Sequence, residues 1–288
     1  MKKVVVTGTS SGFGAGAVKA FADNGYQVCG TMRGIAGRNA ARKTSLESYS
    51  PNISIIEVDV ADDESVIAGF AQILNEGPID ILINNAGIMY QGITEAISVA
   101  QVKEQMETNF YGPIRTMQAV LPSMRDANSG LIVNCSSILG RISAPFFGTY
   151  SATKNALEAY SQAIRYEIAK FGIDIVIVEP GPFVTGLIAL NKVPAKTDVL
   201  EAYGELAVLP AATGAHFPQE VQPGSNYDPK WVVDALLDLA AMSAGNRPVR
   251  KVVGIDWGVF EMNIMTQPIQ DRILNIMGLD GVLGGESS

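Results

Sequence analysis

The chain has 288 residues, 47% of them hydrophobic and 17% charged, which is enough apolar material for a large core and excludes a disordered polypeptide. With 21 Lys and Arg against 29 Asp and Glu, the net charge is −8, which repels phosphate backbones and argues against a nucleic-acid partner. Any anionic ligand must therefore be held by a locally built site. No apolar run approaches the roughly 20 residues of a membrane helix, and the run Val4-Val5-Val6 stops at Thr7-Gly8, too early for a secretion signal. Cys29 and Cys135 fall in strand-like segments and read as small buried side chains, not as a disulfide framework. The single histidine, His216, rules out a His-based metal cluster. A cytoplasmic protein, with no membrane partner and no metal, is the expectation.

In chain order, residues 2–7 form a β-branched run that stops at glycine, as suits a strand buried on both faces. Residues 15–24 carry Ala17, Val18 and Phe21 at helical spacing, with Gly25 to end the helix. Residues 26–32 and 53–58 read as the second and third strands. Asp62, Asp63 and Glu64 open the next helix, where acids offset its dipole. That helix ends near Gly77-Pro78, and residues 79–83 form a fourth strand. A long helix is expected over residues 98–125, bent or interrupted at Pro113 and Pro122. Residues 131–135 are the next strand, 150–170 a strongly periodic helix capped by Gly172, and 173–178 a strand ended by Glu179-Pro180-Gly181. The repeated strand-helix order predicts an α/β protein with a doubly wound parallel sheet, three layers α/β/α, and right-handed crossovers. Residues 186–229 lose periodicity and read as a lid over a site, within one domain spanning residues 1–288. Residues 230–241 return to helix, 249–253 supply a last strand, and the glycine-rich tail from residue 278 is expected to fray.

Between the first strand and first helix lies Thr7-Gly8-Thr9-Ser10-Ser11-Gly12-Phe13-Gly14. Glycines there permit a tight turn and let backbone approach a pyrophosphate at the helix N-terminus. The preceding buried strand and following amphipathic helix are the context such a loop requires. The spacing G-x-x-x-G-x-G resembles that of the short-chain dehydrogenase/reductase (SDR) family, in its short single-domain branch. The resemblance extends to about Thr185. Asp59-Val60 resembles the family's adenine-contacting pair, Asn84-Asn85-Ala86-Gly87 matches its NNAG signature, and Pro180-Gly181-Pro182-Phe183-Val184-Thr185 resembles its PG-x-x-x-T segment beside the nicotinamide. It implies a Rossmann-type fold and an oxidoreductase that moves a hydride between a nicotinamide dinucleotide and a small-molecule carbonyl or secondary alcohol. It further implies cofactor contacts from Gly8, Ser10, Ser11, Gly12, Phe13 and Gly14, from Asp59, Val60, Asn85, Ala86 and Gly87, and from Pro180, Gly181, Phe183 and Thr185. A homodimer or homotetramer is expected from the same resemblance.

NAD enzymes place an acid about 20 residues beyond the glycines to grip the ribose 2′-hydroxyl. Here the second strand ends Gly30-Thr31-Met32-Arg33, and the first acid after it is Glu47. Arg33, Arg38, Arg42 and Lys43 cluster instead. An arginine can fork to a 2′-phosphate and stack on adenine. Arg33 stands where NADP-preferring members of the family carry a basic residue, and Ser11 can add a hydrogen bond. Arg42 and Lys43 fit a solvated charged loop better. NADP(H) is favoured, and NAD(H) stays open.

Tyr150 and Lys154, four residues apart on a predicted helix, share one face. Ser137 precedes Tyr150 by the family's serine-to-tyrosine distance; Ser136 is its rival. Met106-Glu107-Thr108-Asn109-Phe110-Tyr111-Gly112 matches the family segment that supplies a fourth catalytic residue, Asn109. By resemblance Tyr150 transfers the proton, Lys154 lowers the Tyr150 pKa and holds the nicotinamide ribose hydroxyls, and both therefore also contact the cofactor. Ser137 hydrogen-bonds the substrate oxygen, and Asn109 helps hold a water that links Lys154 to solvent. The chemistry asks for such groups, because a free tyrosine ionises near pH ~10 and a nearby cation favours its phenolate. A serine hydrolase is excluded by the lack of a G-x-S-x-G elbow, and His216 reads as a lid-surface or structural residue.

The segments expected beside the nicotinamide are apolar. Met89, Ile138, Leu139, Phe147 and Leu187 are the expected substrate contacts, each equally readable as core. Together they favour an uncharged hydrophobic or aromatic carbonyl over a sugar phosphate. Steroid, retinoid, aryl-ketone and fatty-acyl substrates stay open. Two other readings stand beside this one: an NAD-dependent alcohol dehydrogenase of the same family, and a non-catalytic dinucleotide-binding sensor of redox state.

Overall fold

Val4, Val5 and Val6 have no solvent exposure, and three consecutive buried side chains in one strand demand cover on both faces of the sheet. The computed structural model describes residues 1–185, 187, 192–214, 218 and 220–279. Among them seven strands form one parallel sheet: β1 (Lys3–Thr7), β2 (Gln27–Met32), β3 (Ile53–Glu57), β4 (Ile81–Asn84), β5 (Gly130–Cys135), β6 (Ile173–Pro180) and β7 (Arg250–Val253). Their order is β3-β2-β1-β4-β5-β6-β7. The helices are α1 (Gly12–Asp23), α2 (Ala40–Glu47), α3 (Asp63–Asn75), α4 (Val99–Met106), α5 (Gly112–Ala127), α6 (Gly148–Ile168), α7 (Thr197–Tyr203), α8 (Leu209–Gly214), α9 (Lys230–Ala241) and α10 (Val259–Ile276). Val4 and Val6 pack with Phe21 of α1, Leu46 of α2 and Leu236 of α9. Val5 and Leu82 face the other way, onto Phe70 of α3, Met117 of α5 and Ile168 of α6. The result is the expected doubly wound, three-layer, Rossmann-type arrangement. Strand order reverses between β1 and β4, which opens a crevice at their C-terminal ends.

Several elements differ from the sequence expectation. The helix expected over 98–125 is two helices, joined by a wide π turn at Glu107–Tyr111. Pro113 lies in the first turn of α5, where its missing N–H is not needed, so the break precedes the proline. Pro122 sits inside α5 without ending it. The stretch around Arg42 and Lys43 is not a loop: α2 forms there, anchored by buried Leu46 and by a Lys43–Glu47 pair at 2.5 Å one turn apart. Strand β6 continues through Pro180, which tolerates proline because it lies at the strand's end. No element was expected at α10. Phe260, Ile264, Ile269 and Ile273 on it are exposed, so its apolar residues follow no core-facing stripe. Gly172 caps as expected with φ 66°, and Cys29 and Cys135 are buried free thiols. His216 and residues 280–288 of the tail lie outside the described residues.

A chain of buried polar groups stitches the central strands to the helices behind them. Thr116 Oγ1 donates to Asn84 Oδ1 (2.6 Å), Asn84 Nδ2 to Asn134 Oδ1 (2.9 Å), Asn134 Nδ2 to Ser161 Oγ (2.8 Å), and Ser161 Oγ to the Leu157 carbonyl (2.6 Å). Asn84 leads into the β4 turn, Asn134 into the Ser136-Ser137 segment, and Ser161 shares α6 with Tyr150, so the chain fixes these three relative to one another. Asn134→Ala strands one buried donor and one buried acceptor, and is expected to cost about 2 kcal/mol of unfolding free energy. Urea denaturation checks this; an unchanged midpoint contradicts it.

Candidate active site

The glycine loop is shaped by what lies against it. Gly8 has φ +71°, and a Cβ there would stand 2.7 Å from Ala86 Cα. A Cβ on Gly14 would stand 2.4 Å from the Gly8 carbonyl oxygen and 2.6 Å from Asn85 Nδ2. The loop therefore lies directly against the β4 turn, and Asn85 ties it there. Asn85 Nδ2 donates to the Thr7 and Gly8 carbonyls (2.9 and 3.1 Å), while Thr7 Oγ1 accepts the N–H groups of Asn85 and Ala86, both at 3.1 Å. Sequence reading missed this role of Thr7. Behind the loop α1 begins with Ser11 making no side-chain cap and with no acid in its first turn. Its first amides and its dipole are thus left to an anion. Together with the close backbone approach, these features fit the pyrophosphate of a dinucleotide.

A cavity of about 650 Å³ opens beside this loop. Gly8, Ser10, Ser11, Gly12 and Phe13 border it, as do Asp59, Val60, Asn85, Ala86 and Gly87. Pro180, Thr185, Tyr150 and Lys154 complete the sequence-expected part of its wall. Gly14, Gly181 and Phe183 stand behind the wall. A Cβ on Gly181 would meet the Ile255 carbonyl oxygen at 2.0 Å, and Phe183 packs edge-on against Phe13, centroids 5.6 Å apart. Arg33 borders the cavity and pairs with Asp59 at 3.4 Å, a partly exposed and therefore weak bond that leaves the guanidinium available. Arg42 corrects the sequence reading. Presented by α2, it lines the same cavity with Arg38, and its Nη1 donates to the Ser10 carbonyl at 2.7 Å.

Helix α6 buries Tyr150, Lys154 and Glu158 along one stripe. The Lys154 ammonium donates to the Cys135 carbonyl at 2.7 Å and lies 5.7 Å from the Tyr150 ring centroid. Burial pulls Lys154 down to about 8 and pushes Tyr150 up to about 12. The hydrogen-bonding Ser137 hydroxyl opposes the rise at Tyr150. Ser137 Oγ also accepts the Leu139 N–H at 3.1 Å. Its rival Ser136 borders the cavity with a buried Oγ that has no partner among the described residues. Asn109, fully buried in the π turn, donates to the Ile88 carbonyl (2.9 Å) and Thr153 Oγ1 (3.1 Å) and accepts the Ile88 N–H (2.8 Å). It therefore fixes the backbone that follows Gly87.

Met89, Ile138, Leu139, Phe147 and Leu187 share one apolar cluster with Tyr150. Met89 and Leu187 border the cavity, and the other three pack behind them. Val259 of α10 completes the cluster, a contribution no sequence signal announced. Of the described residues in 186–229, Leu187 borders the cavity, and Lys192 and Val193 bond to residues between β4 and α4 and on α4. The Lys192 N–H donates to the Met89 carbonyl (3.2 Å), Gln101 Nε2 to the Val193 carbonyl (2.8 Å), and the Lys192 ammonium and Tyr90 hydroxyl both reach Glu104. Among the described residues no helix is long and apolar enough to cross a membrane.

A reversed parallel sheet with a glycine loop at its switch point, facing a buried tyrosine-lysine helix, defines a dinucleotide-binding oxidoreductase of the Rossmann type. The family model for short chain dehydrogenases matches residues 2–193, and the chain belongs to that family. Over 203 residues it is 38% identical to a 3-ketodihydrosphingosine reductase of Bacteroides thetaiotaomicron, covering 70% of this chain and 71% of that one. A short-chain dehydrogenase from Streptomyces avermitilis superposes with TM-score 0.76 at 30% identity, over 96% of this chain and 97% of the other. ElxO, solved with NADP bound, superposes with TM-score 0.72 at 27% identity, over 90% and 99% of the two chains.

Because Lys154 ionises at about 8 folded and at its ordinary 10.5 unfolded, the unfolded chain binds the extra proton between those values, and stability rises with pH across that window. Tyr150 acts in the opposite sense only above its ordinary value of 10. Above pH 9 the buried Cys29 and Cys135 thiols, pushed up from 9.0 to about 12 and about 11, also act in the opposite sense, so urea unfolding between pH 8 and 9 is expected to show the rise in wild type and to lose it in Lys154→Met.

Proposed function

We propose that this protein is an NADP(H)-dependent reductase of uncharged hydrophobic ketones, or dehydrogenase of the matching secondary alcohols, with Tyr150 as proton donor and acceptor. The observation that carries this reading is that Tyr150, hydrogen-bonded to Ser137, and Lys154 line one cavity whose wall also holds the glycine loop and three arginines. The bound nicotinamide supplies or takes up the hydride. Burial keeps Tyr150 protonated at neutral pH, which readies it as a donor to an oxygen gaining negative charge. Ser137, bonded toward Tyr150, is placed to hold that same oxygen. Lys154 takes the ribose hydroxyls in this reading, and Asn109 holds the Gly87–Ile88 backbone against which they lie. Arg33 and Arg42 take the 2′-phosphate, in an otherwise acidic protein where only a local cluster attracts it.

The apolar cluster around Met89 and Leu187, and a relative named as a 3-ketodihydrosphingosine reductase, support a hydrophobic substrate. Residues 186–229 serve as the substrate lid of a single unit spanning residues 1–288. The complete proton-transfer set weighs against a redox sensor, which has no need of it.

Tyr150→Phe is expected to reduce turnover of a long-chain ketone by about a thousandfold while leaving NADPH affinity, read by fluorescence titration, unchanged. Retained turnover refutes the role of Tyr150. Arg33→Ala and Arg42→Ala are each expected to weaken NADPH about tenfold and NADH hardly at all. Equal losses for both nucleotides overturn the phosphate assignment.

A further inference from the structure

Behind Lys154 lies a second group of buried ionisable side chains that the proposed reaction does not use. Glu158 stands one turn beyond Lys154 on α6 and is 2% exposed; Glu179, near the end of β6, is 0% exposed. Arg250 Nε donates to Glu158 Oε2 at 3.0 Å and lies 3.4 Å from Glu179 Oε1 without a hydrogen bond to it. The other Arg250 donors turn away, Nη2 to Gln162 Oε1 (2.8 Å) and Nη1 to Gln267 Oε1 (3.3 Å). Glu179 Oε2 accepts Asn263 Nδ2 at 2.5 Å, and Asn263 Oδ1 in turn accepts Arg141 Nε at 2.9 Å. Glu158 Oε1 and Glu179 Oε1 are left buried with no hydrogen-bond partner among the described residues.

Two ionised carboxylates beside one guanidinium and away from water repel each other and leave two acceptors unsatisfied. One proton between them removes both faults, since an acid O–H on one carboxyl can donate to the other. We propose that Glu158 and Glu179 hold one proton between them, and that the single negative charge left on the pair positions the ammonium of Lys154. The charged and titratable groups facing Lys154 or the pair are Tyr150 on α6, Cys135 on β5, Arg141 after the Ile138–Gly140 turn, and Arg250 on β7. From α10 come the neutral Asn263 and Gln267. The directions of titration agree: burial and the neighbouring Glu158 raise Glu179 to about 8, and Glu158 opposes the burial that lowers Lys154. The pair also stands one side chain from the cavity. A Cβ on Gly140 would meet Ser136 Oγ at 2.5 Å and Glu158 Cγ at 3.1 Å.

Infrared spectroscopy of the full chain tests the proton directly. A protonated carboxyl stretch is expected at pH 7 in wild type, lost on titration past about 8, and lost in both Glu158→Gln and Glu179→Gln. The second arm rests on the proposed function and reads the pH profile of turnover. Glu158→Gln leaves the charge on the more distant Glu179, so the limb that follows Lys154 is expected to move to lower pH by about half a unit. Glu179→Gln keeps the charge on Glu158 and leaves the limb in place. No carboxyl stretch in wild type, its survival in both variants, or equal limb shifts in both overturns the proposal. The wild-type spectrum decides the shared proton even if a variant does not fold. A band present alongside normal turnover by Tyr150→Phe would sink the catalytic reading and leave the shared proton standing.

Discussion

The junction of Thr7 with Asn85 sets the origin from which the rest of the site is measured. Thr7 ends β1 and Asn85 follows β4, the two strands between which the chain changes direction. The Asn85 amide bridges the Thr7 and Gly8 carbonyls, and the Thr7 hydroxyl receives two N–H groups in return. Close contact between the two turns leaves no room for a Cβ at Gly8 or Gly14. It also directs the start of α1 into the crevice. Any widening here would shift the glycine loop relative to β5 and α6, and so relative to Tyr150.

Dryness shapes the reacting end. The same burial moves Tyr150 and Lys154 in opposite directions, each toward its uncharged form, one to about 12 and the other to about 8. Neither side chain is abandoned to that environment. Lys154 has the Cys135 carbonyl and the nearby Glu158, and Tyr150 has Ser137. Polar groups compensated in this way hold their geometry well, because every alternative orientation loses a partner that the interior cannot replace.

Much of this was legible in the chain. Doubly covered strands announce themselves as unbroken apolar runs, and Val4 to Val6 did so. The glycine loop, Asn109, Ser137, Tyr150 and Lys154 were found because their spacing carries a family pattern. What escaped notice acts across long sequence separations or without periodicity. Arg42 reaches Ser10 from a short helix whose only buried side chain is Leu46. Val259 enters the apolar cluster from a helix whose other apolar residues are mostly exposed. Thr7 looks like the last residue of a strand, and nothing local distinguishes its hydroxyl as the acceptor of a distant turn.

The wide turn at Glu107–Tyr111 has a consequence for how this chain can change over evolutionary time. A π turn accommodates one residue more than an ordinary helical turn. Deleting one residue there would let α4 and α5 fuse into regular helix with their faces nearly in register, yet it would remove the bulge that presents Asn109. Asn109 would then swing away from Ile88 and Thr153. Insertions and deletions are thus expected to be tolerated in the outer loops of homologous chains and to be purged from this segment, whose length matters as much as its side chains.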